Sequence, residues 1–261
     1  MKKYDCAYEK PKITFKQILI VFLCVVLAIS LKSTFESINI IQTQIHYNEY
    51  LKKLEDQKNS KGFASLRKIN SNILAWLTVE DVNLSVPIVE TADESQEKFY
   101  LNHGFDKKNN KLGCPYQPSN FSLYGTNTMF VGHSSYTMTL FGNKANQSVF
   151  GKLNSYIHTN DNYNYKIKLE TEEGILNYQI VGYFFFEITD TENPTYNEIY
   201  NNIYTANDLS AKESFNRFIN TLNAYSLKKS NQEINFGDKL LTLFTCYYNL
   251  DFRTIVVAKQ I

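Results

Sequence analysis

Two runs near the C-terminal end carry the residues best suited to chemistry. They are Lys239–Cys246 (KLLTLFTC) and Arg253–Ala258 (RTIVVA). The first is apolar and β-prone and ends on a cysteine; the second opens on an arginine and continues β-branched. Paired as a hairpin, the two strands bring Cys246 and Arg253 to one mouth. A thiol attacks a carbonyl as its thiolate, which nearby positive charge favours. An arginine stays charged and offers a fork of donors to a developing oxyanion. The chain has three arginines, Arg67, Arg217 and Arg253, and the last of them heads this strand.

A base is supplied by a third run, Asn127–His133 (NTMFVGH). Its apolar strand ends at Gly132 and leaves His133 at a rim. An imidazole there can form an ion pair with a thiolate and later give its proton to a leaving amine. Plainer accounts stay open on spacing alone. A free strand cysteine is commonly a core residue, and a histidine after a glycine is commonly held in a turn. The other histidines have bland settings: His46 on a polar helix face, His103 in an Asn-His-Gly turn and His158 in a polar turn.

Several classes of function find no support. No Cys-x-x-Cys or His-x-x-x-His pair occurs, so neither a metal nor another cofactor is expected. A phosphate-cradling glycine loop and a Gly-x-Ser-x-Gly elbow are also absent. The net charge of +1 implies no general attraction to nucleic acid. Cysteines at 6, 24, 114 and 246 do not form a disulfide framework, leaving a Cys114–Cys246 bridge as the one pairing open to the soluble part. An aromatic content of 15%, with 19 Tyr and 18 Phe, suits a compact β-rich domain.

The elements that must position these residues follow in order. Lys2, Lys3, Lys10, Lys12 and Lys16 precede the apolar run Ile18–Leu31. Taken from Ile13, the segment approaches a bilayer span, while its core alone also has the length of a signal-peptide h-region. The lack of a small-x-small site after Leu31, and the helical pattern that follows, favour an uncleaved anchor with the N-terminus in the cytoplasm. The expected organisation is a cytoplasmic tail (1–12), a transmembrane anchor (13–32), a helical spacer (33–61) and a catalytic domain (62–261). Ile38, Ile41, Ile45, Leu51 and Leu54 recur at helical spacing in the spacer. Beyond Gly62, residues 66–76 read as a short helix or turn. Strands are expected over 77–79, 82–89, 128–131, 165–169 and 176–188, with Pro87 marking an edge or bend. A helix over 208–222, with Leu209, Phe215, Phe218, Ile219 and Leu222 on one face, precedes the last two strands. The fold class is mainly β, a closed or partly closed barrel with flanking helices.

With these residues placed, the sequence resembles the sortases. Thr242-Leu243-Phe244-Thr245-Cys246, followed by Arg253-Thr254-Ile255-Val256-Val257, resembles the family's Leu-x-Thr-Cys and Arg signature. Asn127–His133 resembles its strand leading into Gly-His, and the order His, Cys, Arg matches. Residues 69–89, with Trp76 and Val86-Pro87-Ile88-Val89, resemble the start of a class B sortase, as does a helix inserted before the cysteine strand. The resemblance spans roughly residues 65–261. It implies an eight-stranded sortase-type β-barrel with N-terminal helices, acting as a cysteine transpeptidase without cofactor. Cys246 would be the nucleophile, His133 the acid and base, and Arg253 the oxyanion or substrate clamp, with Thr245 and Thr242 on the substrate side.

Such enzymes cut a C-terminal sorting motif, typically Asn-Pro-x-Thr-x, after its threonine. They form a thioacyl intermediate and pass the acyl group to an amine of a cell-wall peptide precursor. The implied partners are surface proteins bearing that motif, the peptidoglycan precursor amine and the membrane, on the outer face of a Gram-positive cell. A pilin-polymerising sortase and a non-catalytic anchored β-domain that binds wall components are the rival readings. The chain departs from the class B pattern at Phe244, where Ser is frequent, in a short Cys246–Arg253 loop, and in Pro115, Gln117 and Pro118.

Overall fold

The computed structural model describes residues 14–134, 136–138, 144–146, 150–158, 165–188, 194–246 and 252–261. For Ser37, Ile40, residues 136–138, 144–146, 155–158, 228–229 and Cys246 the description covers the backbone alone. The expected tail, 1–12, and the loop between Cys246 and Phe252 lie outside the described residues.

The expected anchor and spacer are one helix, α1 (Phe15–Lys61), 47 residues long. Thr14 starts it with a capping box: its hydroxyl accepts from the Gln17 N–H, and the Gln17 side chain accepts from the Thr14 N–H. Gly62, at φ +70°, ends it in a backbone conformation that a side chain would strain. The first part is exposed and apolar, long enough to cross a membrane. Farther along, Tyr47, Leu51, Leu54 and Lys58 are buried, and their four-three-four spacing makes one stripe against the domain. Ile38, Ile41 and Ile45 stay exposed.

A short helix, α2 (Phe63–Arg67), leads into β1 (Ile73–Val79) and β2 (Leu84–Glu90). Helix or turn expected up to Trp76 therefore gives way to strand at Ile73. Ala75, Trp76 and Leu77 are all fully buried there, and a run buried on both faces shows no alternation to read. Then come α3 (Glu94–Tyr100), β3 (Tyr116–Gln117), β4 (Asn127–Val131), β5 (Tyr136–Met138) and β6 (Lys144–Asn146). A 3-10 segment (Phe150–His158), β7 (Lys166–Glu170) and β8 (Ile175–Glu187) follow. Next are α4 (Pro194–Ile199), a π-helical turn (Tyr200–Tyr204), α5 (Lys212–Tyr225), β9 (Lys228–Lys229), β10 (Leu240–Cys246) and β11 (Phe252–Gln260). Asp208 does not open α5. Its carboxylate instead accepts from the Ser210 N–H and the Thr126 hydroxyl, and the helix begins four residues later.

Strands β11, β10, β4, β3, β2, β1, β7 and β8 hydrogen-bond in that order, and β8 pairs back onto β11. The result is a closed eight-stranded mixed barrel. Two pairs, β2–β3 and β4–β10, are parallel and the others in the ring are antiparallel. Pro87 is accommodated because β3 pairs with β2 only at Val89 and Glu90, so the missing N–H breaks no ladder on that side.

The ends of the ring carry two apolar layers. In β11, Val256 and Ala258 join the barrel interior with Trp76, Phe130 and Leu243. Ile255 and Val257 point the other way and pack with Phe184 and Leu240 under Phe215, Phe218 and Leu222 of α5.

Polar contacts seat α1 on the barrel. The Lys58 ammonium, almost wholly buried, lies 2.7 Å from Glu170 and 5.2 Å from the centre of the Trp76 ring. Lys168 lies 3.0 Å from the same carboxylate. Trp76 Nε1 donates to Ser85 Oγ, and Ser85 donates to Glu55 on α1, both at 2.8 Å. Burial pushes the Glu170 carboxyl up, but hydrogen bonds and charge from Lys58 and Lys168 outweigh it and hold it below its ordinary value. Glu170 therefore stabilises the fold fully above the unfolded carboxyl's pKa, and that contribution is lost as pH falls through the lower folded value. Glu170→Gln leaves a buried ammonium short of its partner and should cost about 3 kcal/mol. Thermal melts of wild type and variant at neutral pH should differ accordingly and converge in acid. Equal melting at neutral pH would show that the pair does not hold the helix.

Candidate active site

One register builds the site. Strands β4 and β10 run parallel, with Leu240 opposite Asn127 and Phe244 opposite Val131. The pattern continues past β4, where the Gly132 N–H donates to the Phe244 carbonyl at 3.0 Å. Carried two positions beyond its last pair, the register sets His133 level with Cys246. On the other side of β10, the antiparallel ladder pairs Cys246 directly with Arg253. Neighbouring strands lie about 4.8 Å apart. Three adjacent segments thus bring the backbones of His133, Cys246 and Arg253 to one rim of the barrel. The Cys246 side chain lies outside the described part.

Gly132 is required by close approach. A Cβ at that position would run into the ring of Phe150, which is buried at the start of the 3-10 segment. His133, next along, is half-buried, and burial lowers its pKa below the ordinary histidine value. The other two histidines with described side chains lie elsewhere. His103 stacks on Phe99 at 3.7 Å and its Nδ1 lies 2.8 Å from the Phe99 carbonyl, while His46 faces outward from α1. The side chain of His158 lies outside the description.

The arginines divide similarly. Arg67 and Arg217 are held in surface ion pairs with Glu172 and Glu213, each at 2.7 Å. Arg253 is half-buried, and its Nη1 donates to the Phe252 carbonyl at 3.1 Å. Its charge reaches the Tyr204 hydroxyl, whose pKa burial raises, with Tyr200 and Glu97 adding and Arg253 opposing. Phe244, two residues before Cys246, packs against Tyr204 with ring centres 4.5 Å apart.

The two threonines differ in setting. Thr242 is fully buried and donates to Asn127 Oδ1 at 2.9 Å, while Asn127 Nδ2 donates to the Ala206 carbonyl at 2.7 Å. Thr245 is buried beside Cys246, and its hydroxyl has no hydrogen-bond partner among the described residues. Ser134, beside His133, is in the same condition. Cys114 is a free buried thiol, pushed up by burial and then by Asp106. Among the described residues no group of three or more His, Cys, Asp or Glu side chains is placed to hold a metal.

Sequence reasoning missed Tyr204, Ser134 and the Asn127–Thr242 tie. Tyr196, Tyr200 and Tyr204 recur every four residues, which was a readable helical signal. They stack in series, with ring centres 5.7 and 5.1 Å apart. Ser134 and Asn127 carry no pattern of their own.

The closed eight-stranded mixed barrel matches the solved sortase B structures. The chain is 22% identical to Sortase B of Staphylococcus aureus over 262 residues, covering 97% of this chain and 98% of that protein. It is 23% identical to Sortase B of Listeria monocytogenes over 207 residues, covering 75% of this chain and 72% of that protein. The X-ray structure of Clostridium perfringens sortase B superposes with a TM-score of 0.59 at 25% identity, covering 76% of this chain and 98% of that one. No protein-family model matches the sequence. In fold, and in sequence along nearly its whole length, the chain is similar to the class B sortases.

Gly132→Ala should displace Phe150 and cost about 1–3 kcal/mol by overpacking, read from denaturant unfolding. An unchanged midpoint would mean the wall yields freely. With the thiol removed by Cys246→Ala, His133 should titrate below about 6.5, because burial disfavours the imidazolium. A ring-proton midpoint at or above that value, followed by NMR, would contradict a buried imidazole.

Proposed function

We propose that this protein is a membrane-anchored transpeptidase that cleaves a C-terminal sorting motif after threonine and joins the protein to a cell-wall peptide amine. The observation that carries this reading is the strand register that brings His133, Cys246 and Arg253 to one rim. In the first half-reaction the Cys246 thiolate attacks the threonine carbonyl carbon. Arg253 stabilises the oxyanion, and the carbon–nitrogen bond breaks as His133 gives its proton to the leaving amine. A thioacyl enzyme remains. In the second, His133 takes a proton from the acceptor amine as its nitrogen attacks. The carbon–sulfur bond breaks, and a new amide and the Cys246 thiolate are released.

Burial of His133 works against its charged form, so the imidazolium needs the thiolate beside it. Thr245 and Thr242 support the substrate side of β10. The apolar half of α1 holds the protein in the membrane, with the N-terminus in the cytoplasm and the barrel outside. The donor is a surface protein carrying an Asn-Pro-x-Thr-x type motif, and the acceptor is an amine of a peptidoglycan precursor.

The test uses the full chain in detergent with quenched sorting-motif peptides, with and without an amine acceptor. Cleavage after threonine, and a mass adduct equal to the acyl fragment, should disappear in Cys246→Ala. His133→Ala should lower turnover by about 100-fold or more. Arg253→Ala should lower it by about 100-fold to 1,000-fold. A folded protein that gives neither cleavage nor adduct with any peptide, and whose thiol resists alkylation, would replace this reading with that of a binding domain.

A further inference from the structure

His133, Cys246 and Arg253 arrive at the rim on three separate segments, and one further segment touches the carriers of two of them. It is the 3-10 stretch Phe150–His158. Phe150 occupies the space that Gly132, the residue before His133, leaves open. Asn154 reaches the residue after Arg253: the Thr254 hydroxyl donates to Asn154 Oδ1 at 2.6 Å. Thr254 in turn stands directly opposite Thr245, the residue before Cys246, in the β10–β11 ladder. Leu153, between the two contacts, is fully buried in the barrel core with Phe150.

The Asn154 contact is polar where its surroundings are apolar. Asn154 and Thr254 are both fully buried. A buried amide and hydroxyl cost free energy unless they meet, and a matched apolar pair would be nearly as stable. What the hydrogen bond adds is direction, because it weakens steeply away from its preferred angle. The Tyr183 hydroxyl lies 3.5 Å from the Thr254 hydroxyl, so β8 joins the same contact.

That direction is placed where the ladder needs it. Cys246 and Arg253 are the last pair of the β10–β11 ladder among the described residues, and paired segments open first at their ends. By strand alternation Arg253 shares the outer face with Ile255 and Val257, so the barrel interior does not grip it. Thr254 shares the inner face with Val256 and Ala258. It is the first residue after Arg253 through which the interior can hold the strand.

We propose that Asn154 is a positioning residue for the acyl transfer: through Thr254 it fixes the stance of Arg253 beside Cys246, from the same segment that packs Phe150 under the approach to His133. The inference rests on the transpeptidase reading.

The test uses the full chain in detergent and quenched peptides of the Asn-Pro-x-Thr-x type. Asn154→Leu and Thr254→Val should each lower kcat by about 10-fold to 100-fold with KM little changed, as expected of a misplaced group. The double variant should be no slower than the slower single one, because both remove the same bond. Thr254→Ser, which keeps the hydroxyl, should restore kcat. In an Arg253→Ala background, Asn154→Leu should cause no further loss. An undiminished kcat in folded Asn154→Leu and Thr254→Val overturns the inference alone. So does a loss confined to KM, or a full further loss in the Arg253→Ala background, which would show that the contact only supports packing. If Asn154→Leu does not fold, the Thr254→Val and Thr254→Ser pair decides the same question. A wild-type chain that cleaves no peptide overturns the transpeptidase reading and the inference with it.

Discussion

The parallel pairing of β4 with β10 is the constraint on which the rest of the structure depends. Both strands point their C-terminal ends at the same rim, so residues that follow them emerge together. β11 returns antiparallel and starts where β10 stops, which adds the beginning of a third strand to that rim. Parallel neighbours cannot be joined by a tight turn. The chain between them accordingly holds β5 to β9, α4 and α5. More than a hundred residues separate His133 from Cys246 in sequence, and one shared register brings their backbones level.

That long excursion also reinforces the strands it leaves. α5 covers the outer face of β8, β10 and β11, so these strands are apolar on both sides. The π-helical turn after α4 presents Tyr204 to Phe244, and Asn127 links Thr242 of β10 to the Ala206 carbonyl just beyond that turn. The rim is therefore braced from outside the barrel as well as from within. Half-buried His133 and Arg253 gain a setting in which their orientation is limited by packed neighbours.

Much of this was legible in the sequence, for identifiable reasons. The β10 and β11 runs are long, apolar and β-branched, so their strand character stood out. α5 carried a clear amphipathic stripe. Ile73–Trp76 misled because a strand buried on both faces shows no alternation. The start of the helix expected over 208–222 misled because Asp208 closes an Asp-x-Ser turn, and the helix begins only at Lys212. The closure of β8 onto β11 and the parallel register of β4 are long-range facts that no local pattern encodes. The same is true of Ser134 and Thr245, whose buried hydroxyls become apparent only once their surroundings are in place.

The continuity of α1 has a mechanical consequence. A flexible tether would let the barrel wander over a volume set by its length, whereas a single uninterrupted helix acts as a stiff mast. Tyr47 stands about 18 Å beyond Phe35 at 1.5 Å per residue, and Tyr47, Leu51 and Leu54 fasten the barrel to that upper segment. On the proposed reading, with α1 crossing a bilayer and the rim catalytic, that rim would sweep a ring at nearly constant altitude. A client tethered to the same membrane would then be within reach only where its scissile bond rides at that altitude. The length of polypeptide between a client's own span and its cut site would thus become a selection rule, acting alongside whatever the rim recognises in the motif itself.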